Sequence, residues 1–324
     1  MIRLQNIIET NNLTKVYQDG RTALNKLNIS VKEGEIFSLL GQNGAGKSTL
    51  IQILTTGLQP TAGKVTVLGR NLVGNVNFIR KNLCCVAQNN SIDDNLTLYE
   101  NMLFQGRLYH LESIVLTKRI TELLVSLNLE KYRNKKVGIC SGGVQRLLTV
   151  AMSMISIPKI LFLDEPTSGM DIEARRLMWR LIQTINEQYN TTIFLTTHYL
   201  EEADQLSDRI CIIKEGQEQI IGTTAELKHY LAQDLIKLSF ANPSAITKND
   251  YSELLKQQSF VKKIGTTKNT LTIEVENAQV DYSKLLKIIT AKPVDFYRVE
   301  IVQPTLDDVF LAIANKEEMY ERDN

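Results

Sequence analysis

The segment Gly41-Gln42-Asn43-Gly44-Ala45-Gly46-Lys47-Ser48 constrains this chain more than any other, because it satisfies the spacing G-x-x-x-x-G-K-[ST]. An apolar run at 35–40 precedes it, and a segment of helical character starts near Lys47. In a strand, glycine-rich loop and helix, successive backbone N–H groups can turn inward around a phosphate with no Cβ in the way. The helix adds the positive end of its dipole. Gly41, Asn43, Gly44, Ala45 and Gly46 are therefore the candidate cradle, and Lys47 the cation for the terminal phosphates. Ser48 becomes a candidate Mg²⁺ ligand and Thr49 the next phosphate contact.

A second segment, Ile160-Leu161-Phe162-Leu163-Asp164-Glu165, places four apolar residues before two acids. Such a run predicts a buried parallel strand that delivers Asp164 at its carboxyl end. Asp164 is then suited to hold Mg²⁺ through water, and Glu165 to polarise an attacking water as general base. A further β-rich run at 192–195 lies beyond a helical stretch, the pattern of an α/β parallel sheet. Together the two motifs predict a P-loop nucleoside triphosphatase without saying which.

Cys140-Ser141-Gly142-Gly143-Val144-Gln145-Arg146 narrows the choice, because it lies shortly before the acidic strand and opens an apolar helix. Here the chain resembles the ABC ATPase family, whose signature loop reads Leu-Ser-Gly-Gly-Gln or close variants. The resemblance implies that Ser141, Gly142 and Gly143 bind the γ-phosphate of ATP held by the opposite subunit. Cys140 stands where leucine is usual and Val144 where glutamine is usual; these departures bear on turnover rate more than on the nucleotide sandwich. The other landmarks follow in order. Tyr17 matches the aromatic stacked on adenine, Gln88 the switch glutamine that contacts Mg²⁺, and Ser168-Gly169-Met170-Asp171 the loop that crosses the dimer interface. His198 matches the histidine that contacts the γ-phosphate. The resemblance thus implies ATP and Mg²⁺ as cofactors, with Glu165, His198, Lys47 and Gln88 as the catalytic set and Ser48, Gln88 and Asp164 around the metal.

Composition removes several other classes. The net charge is +1 and no basic stripe carries interleaved aromatics, so no nucleic-acid partner is expected. The basic run Lys131, Arg133, Lys135 and Lys136 reads as a solvated face. Cys84, Cys85, Cys140 and Cys211 form no CxxC and fit reduced thiols. No signal peptide is expected at the polar N-terminus, and the apolar stretch at 150–163 is broken by Pro158 and Lys159. The chain reads as soluble or peripheral.

The predicted organisation is an ATPase domain over residues 1–222, with an antiparallel β portion near its start and a helical insertion at about 92–157. An α+β accessory domain follows at 223–324, whose β-α-β-β-α-β order reads as ferredoxin-like. It closes on Thr305-Leu306-Asp307-Asp308, a capping box, with Leu306, Val309, Phe310 and Ile313 on one helical face. The extension, ending Pro304-Thr305-Leu306-Asp307-Asp308-Val309-Phe310-Leu311, is similar to the ATPases of drug, lipid and antibiotic-resistance exporters, among them the daunorubicin-resistance type and the A-subfamily of lipid transporters. That similarity implies a homodimer at the cytoplasmic face of the cell membrane, driving a separate transmembrane permease. The alternatives are an importer ATPase, or a soluble ABC protein acting on ribosomes or nucleic acid.

Overall fold

The computed structural model describes residues 5–87, 92–230, 234–240, 251–266, 269–275, 278–290, 296–302, 305–310 and 313. The chain divides into two compact units, residues 1–223 and 224–324.

In the first unit, β1 (Asn6–Val16) and β2 (Thr22–Lys32) pair antiparallel. β3 (Ile36–Leu40) is buried along its whole length, and α1 (Lys47–Leu54) follows the glycine-rich loop. The hairpin β4 (Ala62–Val67) and β5 (Arg70–Asn71) completes an antiparallel sheet in the order β2-β1-β4-β5. Next come α2 (Val76–Asn82), β6 (Leu83–Val86), α3 (Leu98–Leu108), α4 (Ser113–Ser126) and α5 (Gly142–Ser153). The unit ends with β7 (Ile160–Asp164), α6 (Ile172–Tyr189), β8 (Thr192–Thr197), α7 (Leu200–Leu206), β9 (Arg209–Lys214) and β10 (Gln217–Gly222).

The larger sheet runs β10-β9-β3-β8-β7-β6, parallel throughout except for β10. Its central strands are almost continuously apolar because both faces are covered. Side chains alternate between two cores, as the two-residue strand period requires. Ile160 and Phe162 face the core shared with α1 and the antiparallel sheet; Leu161 and Leu163 face the core of the helices. Phe37, Phe162 and Phe194 meet across three neighbouring strands, with ring centroids 5.5 Å apart in each contact. Because β8 lies between β3 and β7, three loops leave the same sheet edge side by side, one carrying the glycines, one Glu165 and one His198.

The helical segment is fixed by local signals. Thr97 caps α3: its Oγ1 accepts from the Glu100 N–H at 3.1 Å, while the Thr97 N–H donates to Glu100 Oε2 at 2.7 Å. Leu116, Ile120, Leu123 and Leu124 give α4 its buried stripe. The apolar helix that opens at the Ser-Gly-Gly segment is short. It ends at Ser153 and passes through a 3₁₀ turn, Met154–Ser156, to Ile157 at φ 47°. Pro158 is the cause, since it offers no N–H and crowds the helical conformation of the residue before it.

The second unit begins with α8 (Thr224–Tyr230) and β11 (Asp234–Phe240). It continues through α9 (Tyr251–Lys256), β12 (Val261–Thr266), β13 (Thr270–Val275), α10 (Ala278–Ile289) and β14 (Phe296–Val302). Its antiparallel sheet runs β12-β13-β11-β14. Alternate residues Ile236, Leu238, Phe240, Leu271, Ile273 and Val275 pack against Leu255, Leu285 and Ile289 of the helices. Beyond β14, the Thr305 N–H donates to Asp308 Oδ2 at 2.8 Å, and Leu306, Val309 and Ile313 are buried.

Candidate functional site

The loop after β3 is shaped by two glycines with left-handed backbone, one of them in close contact with β2. Gly44 and Gly46 have φ of 86° and 107°, in the left-handed region that favours glycine. A Cβ on Gly46 would stand 2.5 Å from the Ala23 carbonyl oxygen. Lys47 is nearly buried; its Nζ donates to the carbonyls of Gly41 at 2.7 Å and Gln42 at 3.2 Å, and lies 3.7 Å from Glu165 Oε1. Burial lowers the Lys47 pKa, while the carboxylates of Glu165 and Asp164 pull it back. Asn43, Gly44, Gly46, Lys47, Ser48, Thr49 and Glu165 line one cleft of about 220 Å³, which Arg21 also borders. Tyr17 reaches this region, with its hydroxyl 3.1 Å from Thr49 Oγ1 and the Arg21 guanidinium 5.0 Å from its ring centroid. Ala45 and Gly41 belong to the same loop but are buried beneath it.

Glu165 sits immediately past β7 at φ 46°, an uncommon conformation for a residue with a side chain. Its N–H lies 3.2 Å from the Thr196 carbonyl and 3.1 Å from the Thr196 hydroxyl. The same hydroxyl donates to Asp164 Oδ1 at 2.6 Å, so one threonine of β8 orients both acids. His198 Nδ1 lies 3.4 Å from Glu165 Oε2. The buried guanidinium of Arg146 holds the loop from beneath, donating to the carbonyls of Asp164 at 3.2 Å and Pro166 at 3.3 Å.

Ser141 caps α5, its Oγ accepting from the Val144 N–H at 3.4 Å, and Ser141 and Gly142 are exposed. Gly143 packs so closely on α6 that a Cβ would stand 2.7 Å from Ala174 Cβ. Ser141, Gly142 and Gly143 line a second cavity of about 420 Å³, together with Arg146, residues 168–171 and Glu165, which borders both cavities. None of the three lines the cleft of Lys47 and Ser48. The structure thus gathers Tyr17, residues 41–49, Asp164, Glu165 and His198, and sets the serine-glycine loop apart. Gln88 lies outside the described residues.

Thr196 and Arg146 were not singled out from sequence. Thr196 stands among β-formers two residues before His198, and nothing local distinguishes it. Arg146 left one signal, a cation beside Leu147 and Leu148 on an otherwise buried helix face.

Residues 24–168 match the family model described as ABC transporter, and residues 222–314 match that of the C-terminal domain of DrrA1-3-like ATP-binding proteins. The daunorubicin/doxorubicin resistance ATP-binding protein DrrA of Streptomyces peucetius is 34% identical over 307 residues, 94% of this chain and 92% of that protein. The Nod factor export ATP-binding protein I of Rhizobium sp. (strain N33) is 32% identical over 302 residues, covering 92% and 93%. Among solved structures, the dimeric post-hydrolysis state of the ATP-binding cassette MJ0796 bound to ADP and Pi overlays with a TM-score of 0.58 at 28% identity, covering 67% of this chain and 98% of that one. With the phosphate loop, the acidic strand and the Ser-Gly-Gly helix cap arranged as above, the chain belongs to the ABC transporter family, as an ATP-binding and ATP-hydrolysing subunit.

Proposed function

We propose that two copies of this chain close head to tail around two ATP molecules and drive a separate transmembrane permease, exporting a drug, antibiotic or lipid-like substrate from the cytoplasmic face of the membrane. The observation that carries this reading is that the serine-glycine loop lines no part of the cleft that holds Lys47, although Glu165 borders both cavities. Ser141, Gly142 and Gly143 present an exposed helix N-terminus, suited to a phosphate, in the second cavity. One chain supplies half of each site, and a second completes it. The names of the relatives, a drug-resistance ATP-binding protein and a Nod factor export ATP-binding protein, support the export direction. Among the described residues no helix is long and apolar enough to cross a membrane, so the permeation path is assigned to another chain.

Within the site, Lys47 binds the terminal phosphates, Thr49 and the backbone of residues 43–46 surround them, and Tyr17 meets the adenine. Glu165 takes the proton of the attacking water, and His198 contacts the γ-phosphate. The oxygen donors fit Mg²⁺: the exposed Ser48 hydroxyl begins α1, and Asp164 keeps one oxygen beyond its bond to Thr196. Ser48, Asp164 and Gln88 are the residues assigned to it, and Mg²⁺ neutralises charge on the bound phosphates. The second unit is assigned as a ferredoxin-like accessory domain that regulates or stabilises the dimer, supported by its β-α-β-β-α-β order.

Affinity purification of the full chain from membranes tests the reading. A co-purifying multi-helix permease supports it, whereas recovery of ribosomes without a membrane protein refutes it. A companion solute-binding protein would reassign the direction to import.

A further inference from the structure

Glu202 is the only carboxyl side chain with 0% exposure among the described residues, and no motif accounts for it. It lies in the first turn of α7, four residues after His198. Its Oε1 accepts two hydrogen bonds, from Thr167 Oγ1 at 2.8 Å and from Trp179 Nε1 at 3.1 Å. Its Oε2 is buried without a hydrogen-bond partner of normal geometry, although the Thr197 side chain is close enough to act on the carboxyl.

The partners close a ring around the catalytic groups. Thr167 is two residues beyond Glu165, and Trp179 lies on α6, one turn after Arg175. The Arg175 guanidinium stands 4.2 Å from the Tyr199 ring centroid, and that ring is 4.1 Å from the His198 ring. His198 returns to Glu165 at 3.4 Å. Glu202 bonds the loop carrying Glu165 and helix α6 to α7, the helix that follows the His198 loop. A buried carboxyl costs free energy that an apolar side chain would not, so its retention has to be set against what its two bonds hold.

We propose that Glu202 is a positioning residue for ATP hydrolysis: by accepting from Thr167 and Trp179 it fixes the Glu165 loop against α6 and α7, and so sets the separation of Glu165 from His198. The inference rests on Glu165 acting on the attacking water. Burial raises the Glu202 pKa, opposed by the nearby Thr197 side chain, by the bonds from Thr167 and Trp179 and by the Arg175 charge. Thr167 and Trp179 both donate to Glu202 Oε1, so what they need from it is an acceptor oxygen. Glutamine supplies that oxygen and leucine does not.

Steady-state ATPase kinetics of the purified full-length chain decide the matter. Glu202→Leu should lower kcat by about 10- to 100-fold, the scale expected when a reacting group shifts by a fraction of an ångström, with KM for ATP within about twofold. Glu202→Gln should stay within about threefold of the parent kcat, because it keeps the acceptor. Thr167→Val, a smaller change, should lower kcat in the same direction and serves if the leucine variant fails to fold. An unchanged kcat in a cooperatively melting Glu202→Leu or Thr167→Val protein overturns the proposal. So does a glutamine variant as impaired as the leucine one, or a loss of rate that only follows the unfolded fraction. Glu165→Gln is measured alongside. If it hydrolyses normally, the role of Glu165 fails; if it is inactive while Glu202→Leu is unimpaired, only the inference about Glu202 fails.

Discussion

Nζ of Lys47 lies 3.7 Å from Oε1 of Glu165, so the cation proposed for the terminal phosphates and the acid proposed for the attacking water face each other directly. Lys47 is also held by two carbonyls of its own loop, which keeps a nearly buried ammonium satisfied. On the proposed reading, a γ-phosphate bound by Lys47 exchanges this carboxylate for a more highly charged anion.

That exchange makes Lys47 chiefly a binding residue. Lys47→Met should weaken ATP binding by roughly 100-fold, about 2.7 kcal/mol, and leave the fold intact, since methionine fills the same buried channel. Equilibrium binding of a fluorescent ATP analogue, with a thermal melt as control, measures both. An affinity within threefold of the parent would remove Lys47 from phosphate binding.

Glu165 should behave differently. Glu165→Gln keeps the shape and the backbone bonds to Thr196 but removes the base. It should therefore bind ATP normally, accumulate an ATP-bound dimer visible by size-exclusion chromatography, and lose hydrolysis by about 10² or more. His198→Ala should lower kcat by a similar factor without this sharp dimer accumulation, because a contact to the transferring phosphate is lost while the base remains. Equal dimer accumulation in both variants would contradict the division of roles.

The two strained glycines of the phosphate loop give a stability test. Gly44→Ala meets no heavy atom within 4 Å and should cost only the left-handed backbone penalty, about 1 kcal/mol. Gly46→Ala adds a carbonyl 2.5 Å away and Leu24 Cδ2 at 2.9 Å, so it should cost roughly 3 kcal/mol or more. Urea denaturation without nucleotide compares them. Equal losses would mean that β2 does not press on the loop.

What was legible in the sequence was what is local. Residues 41–48 announce a phosphate loop because the spacing itself builds the cradle, and residues 160–165 announce a buried strand ending in acids because four apolar residues run straight into two carboxylates. The capping box at Thr305 is also contained within a few residues. Strand order was not legible: the placement of β8 between β3 and β7 depends on pairings that a two-residue period leaves open. Thr196, Arg146 and Glu202 were missed for the same reason. Their partners Asp164, Pro166 and Thr167 are between 18 and 35 residues away, and each bond is made only once the parallel sheet has formed.

The buried carboxyl of Glu202 also marks the pH dependence of stability, and the sign follows from the raised pKa. Over a window that opens near the ordinary glutamate value of about 4.3, the folded chain keeps a proton that the unfolded chain has released. The folded state then binds more protons, so this group's contribution is fully present below that window and is lost as pH rises through the folded pKa. Glu202→Gln does not titrate and escapes the loss. Its stability relative to the parent should therefore grow from pH 4.5 to pH 7.5, by about 1.4 kcal/mol for each unit by which the folded pKa is raised. Arg175 on α6 is the charged group acting on Glu202, and it opposes the effect. Urea denaturation of both proteins at the two pH values gives the difference. A difference that stays flat or reverses would mean that Arg175 and the polar groups around Glu202 outweigh burial.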